Sequence, residues 1–230
     1  MNAKTPTPHR VLVTGASSAN GTPVCRHLLG RGHQVRGLAL EANTDLADSV
    51  IGDLSDLDKV HEAVADMHTV IHLGAYPNNA DFLNVLLEPN VRGLYHVCAA
   101  AVAAGVQRLV IASSLQVISG LGKEGLIRVE DGVAPTNHYA LTKVWAEDLG
   151  EMYARVHELS VVLVRIGWFP RNTDEARHLA QYEHGPGESL TVFATSQPTG
   201  TPRLDLSPAR ATLGYEPRDT WPEGMPFPHK

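Results

Sequence analysis

The sequence predicts an α/β protein built on a parallel sheet with helices on both faces, the doubly wound arrangement. The first observation is an alternation of short β-branched runs with helical segments from residue 10 to about residue 172, which is typical of strand–helix–strand repeats. The second is a stretch of small residues, 14–21, between the first strand and the first helix. The third is composition: 43% of the 230 residues are hydrophobic and 19% are charged, as in globular domains that bury a core.

The first half of the chain contains four predicted strands and two predicted helices. Pro23 lies in the first turn of the first helix and Gly32 follows its end. Ser55 and Asp56 are the capping candidates of the second helix. The predicted strands are 10–13, 34–40, 48–52 and 69–73, and the predicted helices are 23–31 and 57–65.

The second half is less regular toward its end. The predicted elements are helices at 90–104, 137–157 and 207–213, and strands at 108–112, 160–165 and 190–195. After about residue 172, Pro, Gly, Thr and charged residues follow one another quickly, which indicates irregular structure. We therefore expect a sheet domain over residues 1–172 and a small C-terminal region over 173–230.

Composition and charge exclude several classes of function. The formal net charge is -6 with no compensating Lys/Arg run, so a nucleic-acid surface is not expected. The longest apolar run, 97–106, falls far short of the roughly 20 residues of a membrane helix. The N-terminus has no apolar signal core, so we expect a cytosolic protein without membrane contact. Cys25 and Cys98 read as reduced core thiols, and the 12 histidines show no metal-ligand spacing, so no metal is expected.

The turn between the first strand and the first helix suits a pyrophosphate. Small residues let the backbone approach an anion closely, and the free N–H groups of a helix start attract it. Gly15 and Gly21 are the only glycines here, so a full G-x-G-x-x-G motif is absent and a merely compact turn stays open as an alternative. The residues predicted to line a dinucleotide are Gly15, Ser17, Ser18, Ala19, Asn20 and Gly21.

The end of the second strand bears on the choice between NAD and NADP, because an acidic side chain there binds the ribose diol. The expected acid position holds Ala39, and Glu41 lies two residues later. Glu41 favours NAD. Arg36, earlier in the same strand, is a weak argument for the phosphate of NADP, so NADP stays open.

Three side chains could supply acid–base chemistry. Tyr139 and Lys143 are four residues apart, which places a phenol and an ammonium on one helix face. A cation beside the phenol favours phenolate, although a pair with this spacing often only lies on a solvated face. Ser114 follows the fifth strand, at the edge where parallel α/β sheets bind ligands. We therefore expect the three residues to converge beside a cofactor held by the Gly15 turn.

Together these motifs resemble a known family. The chain looks like an extended short-chain dehydrogenase/reductase of the NAD-dependent epimerase/dehydratase family, which has a Rossmann-type sheet, over roughly residues 9–172. The resemblance rests on the turn 14–21, the segments 52–54 and 71–75, Asn90, Ser113, Ser114, Tyr139 and Lys143. Ser18 departs from the family pattern, since extended members usually have a glycine there.

The resemblance implies a mechanism. Tyr139 would exchange a proton with a substrate carbinol oxygen, Ser114 would hold that oxygen, and Lys143 would bind the nicotinamide ribose and lower the pKa of the tyrosine. Hydride would pass between the substrate carbon and the nicotinamide. Ser113 is the fallback for the catalytic hydroxyl.

The resemblance also implies further cofactor contacts. Asp53 would lie near the adenine, with a capping role in a strand-ending turn as the alternative. Asn90 would brace the active site, with a helix N-cap as the alternative. The other cofactor contacts implied by the family are Leu54, Leu73, Gly74, Ala75 and Ile166, besides Tyr139 and Lys143 themselves.

Among subfamilies, the chain is most similar to uronate dehydrogenase-like proteins, which oxidise the anomeric carbon of a sugar acid to a lactone. Arg177 sits where these enzymes bind the substrate carboxylate; a solvated helix charge is the alternative. Leu115 and Trp168 replace polar residues expected around the sugar. The stretch 178–189 replaces a longer helical region of these enzymes, so we expect a reduced substrate-binding region and a small substrate.

Three functions therefore stay open on the sequence. The first is an NAD(P)-dependent oxidoreductase acting on a small hydroxylated substrate, such as a sugar or uronic acid. The second is a sugar or nucleotide-sugar epimerase or dehydratase, and the third is a non-catalytic NAD(P)-binding regulator. The family also implies a homodimer through the helices at 90–104 and 137–157. Val144, Trp145, Leu149 and Tyr153 could form its apolar stripe, which core packing explains equally well.

Overall fold

The computed structural model describes residues 8–167, 189–195, 197–198, 202–217 and 220–221. The main strands are β1 (Arg10–Thr14), β2 (Gln34–Ala39), β3 (Asp48–Ile51), β4 (Thr69–His72), β5 (Arg108–Ser114), β6 (Ser160–Ile166) and β7 (Ser189–Ala194). They form one parallel sheet in the order β3-β2-β1-β4-β5-β6-β7. The strand order reverses between β1 and β4, which makes a crevice at the carboxyl edge of the sheet.

Helices cover both faces of this sheet, so the predicted doubly wound α/β fold is confirmed. The α-helices are α1 (Gly21–Gly30), α2 (Leu57–Val64), α3 (Gly93–Ala103), α4 (His138–His157) and α5 (Ser207–Leu213). Side chains of α2, α3 and α4 share one buried apolar cluster. Side chains of α1 and α5 share a second cluster on the other face. The short strands β8 (Gln197–Pro198) and β9 (Thr220–Trp221) pair with each other.

The central strands are buried on both sides. Along β5, Leu109 and Ile111 point into the first cluster, whereas Val110 points into the second. All three are at most 1% exposed. Near-continuous apolar strands of this kind are characteristic of parallel sheets.

The helix predicted at 90–104 begins earlier than expected. A π-helical segment, Phe82–Arg92, leads directly into α3. Its cap is Asp81, whose Oδ1 accepts the Asn84 N–H at 2.8 Å. The helix predicted from residue 90 started directly after Pro89, a residue type that disrupts α-helical bonding. The chain instead winds through Pro89 in the wider π form, which is rare and often found at functional sites.

Helix α4 follows the prediction closely. Asn137 is its N-cap, and the Asn137 Oδ1 accepts the Ala140 N–H at 2.8 Å. The helix lies very close to the sheet at Gly150, where an added Cβ would meet Leu163 Cδ2 at 2.9 Å. The absence of a side chain at this position therefore sets the distance between α4 and the sheet.

The C-terminal part joins the same sheet. β7 pairs in parallel with β6, and α5 has the bounds predicted from the sequence, closed by Gly214 at φ 62°. The predicted division near residue 172 stays a prediction.

None of the helices in the described ranges is long and apolar enough to cross a membrane. The same residues contain no cluster of three His, Cys or acidic side chains that could hold a metal ion.

Candidate active site

The crevice between β1 and β4 brings two glycine turns together. Gly15, directly after β1, has φ 67°, which L side chains rarely adopt. A Cβ on Gly15 would lie 2.9 Å from Gly74 Cα, and a Cβ on Gly21 would lie 2.1 Å from the Gly15 oxygen. Glycine is therefore required at both positions, because neighbouring backbone atoms lie too close to leave room for a side chain. This cradle fits a dinucleotide that lies against bare backbone, the role predicted for this turn.

Ser18, which replaces the usual family glycine, closes the turn from within. The Ser18 Oγ accepts the Gly21 N–H at 2.9 Å, and the Ser18 N–H donates to the Gly15 carbonyl at 3.0 Å. One N–H at the start of α1 is thus already used by a side chain. Ser17, Ser18 and Ala19, in the same turn, are exposed.

A buried polar network lies under the two turns. Thr14 Oγ1 accepts the Gly74 N–H at 3.1 Å and hydrogen-bonds to His72 Nδ1 at 2.9 Å. Burial, and secondarily the charge of Lys143, lowers the pKa of His72 to about 3. His72 is therefore neutral near neutral pH. The sequence signal for this network was only a polar residue at the end of each of two apolar strands.

The structure brings Ser114, Tyr139 and Lys143 together. Ser114 is the last residue of β5, and its hydroxyl lies close enough to the Tyr139 phenol to lower the pKa of that phenol. Lys143 Nζ donates to the Ala112 carbonyl at 2.9 Å and lies 5.7 Å from the centre of the Tyr139 ring. Tyr139 is 8% exposed and Lys143 is 7% exposed. The group is thus shielded but reachable from the crevice.

The electrostatics of this group differ from the expectation in one respect. Burial raises the pKa of Tyr139, and the Ser114 hydroxyl offsets part of that rise. Burial lowers the pKa of Lys143 to about 8. The expected lowering of the tyrosine pKa by Lys143 is therefore wrong for the chain by itself, because desolvation dominates and the ammonium bonds to a backbone carbonyl instead.

Ser113 is engaged elsewhere. Its Oγ donates to Glu147 Oε1 at 2.5 Å in a fully buried contact. Ser114, not the fallback Ser113, is thus the hydroxyl beside Tyr139.

Asn90 braces two parts of the site. Its side-chain oxygen accepts the Tyr76 N–H at 2.7 Å, and its amide donates to the Tyr76 carbonyl at 3.1 Å and to Thr142 Oγ1 at 3.2 Å. The loop after β4 is thereby tied to α4 next to Lys143. The alternative N-cap role is wrong, because Asn90 lies inside the π-helical segment and Asp81 is the cap.

The acidic residues predicted for the adenosine half lie at the same edge of the sheet. Glu41 is exposed just beyond the end of β2. Asp53 Oδ1 accepts the Ser55 N–H at 2.8 Å, whereas the cap of α2 is Asp56. Leu54 packs against the backbone at Gly74.

Arg36 has a structural role. Its Nε lies 3.0 Å from each oxygen of the Asp48 carboxylate, and its NH1 donates to three carbonyls at the end of α2. The argument that Arg36 favours NADP is therefore wrong, since its guanidinium is occupied.

The remaining predicted residues flank these groups or lie outside the described ranges. Leu73 and Ala75 follow β4, Leu115 follows Ser114, and Ile166 is the last residue of β6. Trp168 and Arg177 lie outside the described residues.

Two residues that contact the site, Asn79 and Glu147, were not predicted from the sequence. Asn79 Oδ1 accepts the Tyr139 N–H at 3.4 Å, and Glu147, one turn after Lys143, bonds to Ser113 and Arg165. The only signal for Glu147 was its position one helical turn after Lys143 on the same face of α4.

Comparison with known proteins agrees with this geometry. Residues 11–170 match the model of the NAD dependent epimerase/dehydratase family. An L-arabinose 1-dehydrogenase (NAD(P)(+)) of Haloferax volcanii is 30% identical over 91% of this chain and 96% of its own length. A uronate dehydrogenase of Pseudomonas putida is 28% identical over 92% of this chain and 85% of its own. The crystal structure of a glucuronic acid dehydrogenase from Chromohalobacter salexigens superposes with TM-score 0.80 at 27% identity, covering 93% of this chain and 86% of that one. The chain belongs to the NAD dependent epimerase/dehydratase family.

Proposed function

We propose that this chain is an NAD(P)-dependent oxidoreductase that transfers hydride between a nicotinamide cofactor and a carbinol carbon of a small, sugar-like substrate. The observation that carries the proposal is the convergence of Ser114, Tyr139 and Lys143 beside the Gly15 turn. The dehydrogenase relatives act on arabinose and uronates by name, which supports a sugar or sugar acid as the substrate class.

Three side chains of the site have different roles in the proposed reaction. Nicotinamide supplies the hydride acceptor or donor when it is bound. Tyr139 takes or gives the proton at the substrate oxygen, and Ser114 holds that oxygen and favours the phenolate. Lys143 is held by the Ala112 carbonyl, and its ammonium would bind hydroxyls of the cofactor ribose.

NAD is the proposed cofactor, with NADP as the alternative. Glu41 supplies a carboxylate just past β2, where a diol is bound and a phosphate is repelled. Gly15, Asp53 and Ile166 all lie at the carboxyl ends of strands of the sheet, which supports their predicted role as cofactor contacts. A carboxylate of the substrate would bind Arg177, the residue that the family resemblance indicates.

The direct test is NADH formation with a panel of aldoses, uronic acids and simple secondary alcohols. Tyr139→Phe is expected to lower kcat/KM by about 100-fold or more, because the proton-transfer group is lost. The dissociation constant of NAD should stay within about twofold, since the phenol contributes little ground-state binding. Titration with NAD and NADP in parallel measures the cofactor preference.

Tyr153→Phe is the matched control, because Tyr153 is a buried tyrosine of the same helix, outside the site. It should keep full activity. Tight NAD binding without turnover of any substrate would favour a regulator, and product formation without net NADH would favour an epimerase. Full activity of Tyr139→Phe would contradict the mechanism.

We also propose that the protein forms a homodimer through α4. Leu141, Met152 and Val156 lie outward along this helix, with exposures of 50%, 37% and 63%. All four members of the stripe expected from the sequence pack against the core instead: Val144, Trp145, Leu149 and Tyr153. Unpartnered apolar side chains along one helix support an interface.

A cytosolic location remains part of the proposal. Cys25 and Cys98 are both buried free thiols, which supports a reducing compartment.

A further inference from the structure

A buried ionic network lies directly behind the candidate active site. Arg165 contacts Glu147 through two hydrogen bonds, Nε to Oε1 at 2.9 Å and NH2 to Oε2 at 2.8 Å. The two side chains are 4% and 7% exposed. Ser113 Oγ also donates to Glu147 Oε1, at 2.5 Å. Three elements, β5, β6 and α4, are thus joined through one carboxylate.

Stability alone is a poor explanation for this network. Removing two charges from water is costly, and apolar replacements of buried ion pairs are often as stable or more stable. The neighbours on the same layer, Ile111 and Leu163, are fully buried apolar residues. In addition, Arg165 NH1 is buried and has no hydrogen-bond partner among the described residues, which is itself unfavourable.

The position of each member points to a role in the site. Ser113 immediately precedes Ser114, and Arg165 immediately precedes Ile166. Glu147 follows Lys143 by one helical turn, so both side chains lie on the same face of α4.

The packing of α4 leaves a specific task for the network. Gly150 sets how closely the helix approaches the sheet, since no side chain fits between it and Leu163. Close approach does not fix how far the helix is rotated or shifted along its axis. A forked carboxylate–guanidinium pair has directional geometry and restrains both.

We propose that Glu147, fixed by Arg165 and Ser113, is a positioning residue that sets the rotation of α4 over β5 and thereby the contact between Ser114 and Tyr139. The proposal rests on the function proposed above. It assigns no chemical step to Glu147, which acts through the placement of the reacting groups.

The first test compares Ser113→Ala with Ser160→Ala. Both serines are 3% exposed and lie on adjacent strands, but Ser160 is at the opposite edge of the sheet and its Oγ has no hydrogen-bond partner among the described residues. Ser113→Ala should lower kcat roughly tenfold, because small displacements of reacting groups slow the chemical step. KM for NAD should change less than about twofold in both variants, since neither change removes a group that binds NAD in the ground state. Ser160→Ala should keep the original kcat.

The second test removes the whole network. The triple variant Ser113→Ala, Glu147→Leu and Arg165→Met replaces buried ionic groups with apolar ones, so its thermal midpoint should equal or exceed that of the original protein. A folded triple variant with reduced kcat supports positioning. A folded triple variant with the original kcat overturns the proposal. If the triple variant does not fold, the Ser113→Ala and Ser160→Ala pair decides.

A readout without turnover separates this proposal from the proposed function. The Cζ resonance of Tyr139 in carbon-labelled protein, assigned with Tyr139→Phe, reports the surroundings of the phenol, including its contact with Ser114. It should shift in Ser113→Ala and stay in place in Ser160→Ala. An unchanged resonance in Ser113→Ala overturns the positioning role, whether or not any substrate of the panel is oxidised.

Discussion

At the residue scale, burial of Lys143 in the candidate site lowers the stability of the fold. Its pKa is lowered from 10.5 to about 8 by burial, so the folded protein holds the proton less tightly than the unfolded chain. The resulting penalty is fully present below about pH 8 and disappears as the pH rises toward about 10.5, because there the unfolded chain also loses its proton. The penalty corresponds to roughly 3 kcal/mol at neutral pH.

Lys143→Met should therefore stabilise the protein while removing its activity. We expect the free energy of unfolding to rise by roughly 1–2 kcal/mol near pH 7, after about 1 kcal/mol is subtracted for the lost bond to the Ala112 carbonyl. The gain should vanish near pH 10. Urea unfolding at both pH values measures it.

The control is Lys59→Met, since Lys59 is an exposed lysine paired with Glu62. Its unfolding free energy should change little at either pH. A destabilised Lys143→Met at neutral pH would mean that burial of the ammonium is compensated, contrary to the lowered pKa.

At the element scale, the turn from β1 into α1 depends on its two glycines. Gly21→Ala would place a methyl group 2.1 Å from the Gly15 oxygen, so the turn must move. We expect the dissociation constant of NAD to rise more than about tenfold, because backbone N–H groups no longer converge on the phosphates. Isothermal titration with NAD measures the change.

Gly30→Ala, in the last position of the same helix, is the matched control. No atom lies within 4 Å of its added Cβ, so it should leave NAD affinity unchanged and raise stability by about 0.4–1 kcal/mol. Equal NAD affinity in the two variants would remove the turn from the binding site.

Local patterns predicted most elements well. The strands were predictable because apolar β-branched runs mark them directly, and α5 because Gly214 ends it. β5 extends to Ser114, past its predicted end, because β6 pairs with it along its full length. Such pairing between distant segments leaves no local signal. The π winding through Pro89 was also hidden, since proline normally ends a helix.

The site was predictable in its members but not in its electrostatics. Ser114, Tyr139 and Lys143 follow from spacing and strand position. The raised pKa of Tyr139 depends on burial by the folded chain, which spacing does not report. Arg36 was misread because its partner Asp48 lies on the neighbouring strand.

At the scale of the whole molecule, helix α4 carries residues of the candidate site on one side and exposed apolar residues on the other. Tyr139, Lys143 and Glu147 face the sheet, whereas Leu141 and Val156 face away from it. The helix is thus held on its inner side by the site and its network. Its outer side is free to pack against a second copy of the chain, which would further restrain the residues of the site.

A dimer through α4 has a direct test in the mass of the protein. The unmodified protein should sediment at close to twice the 24.8 kDa of one chain. Met152→Lys combined with Val156→Lys should sediment as a single chain, because two like charges oppose each other across a symmetric interface. Lysines near the C-terminal end of α4 interact favourably with the helix dipole, so the fold should be retained. Leu29→Lys, a change of a similarly exposed side chain (40% against 37% for Met152) on α1, should stay dimeric. A single-chain mass for the unmodified protein would contradict the proposed interface.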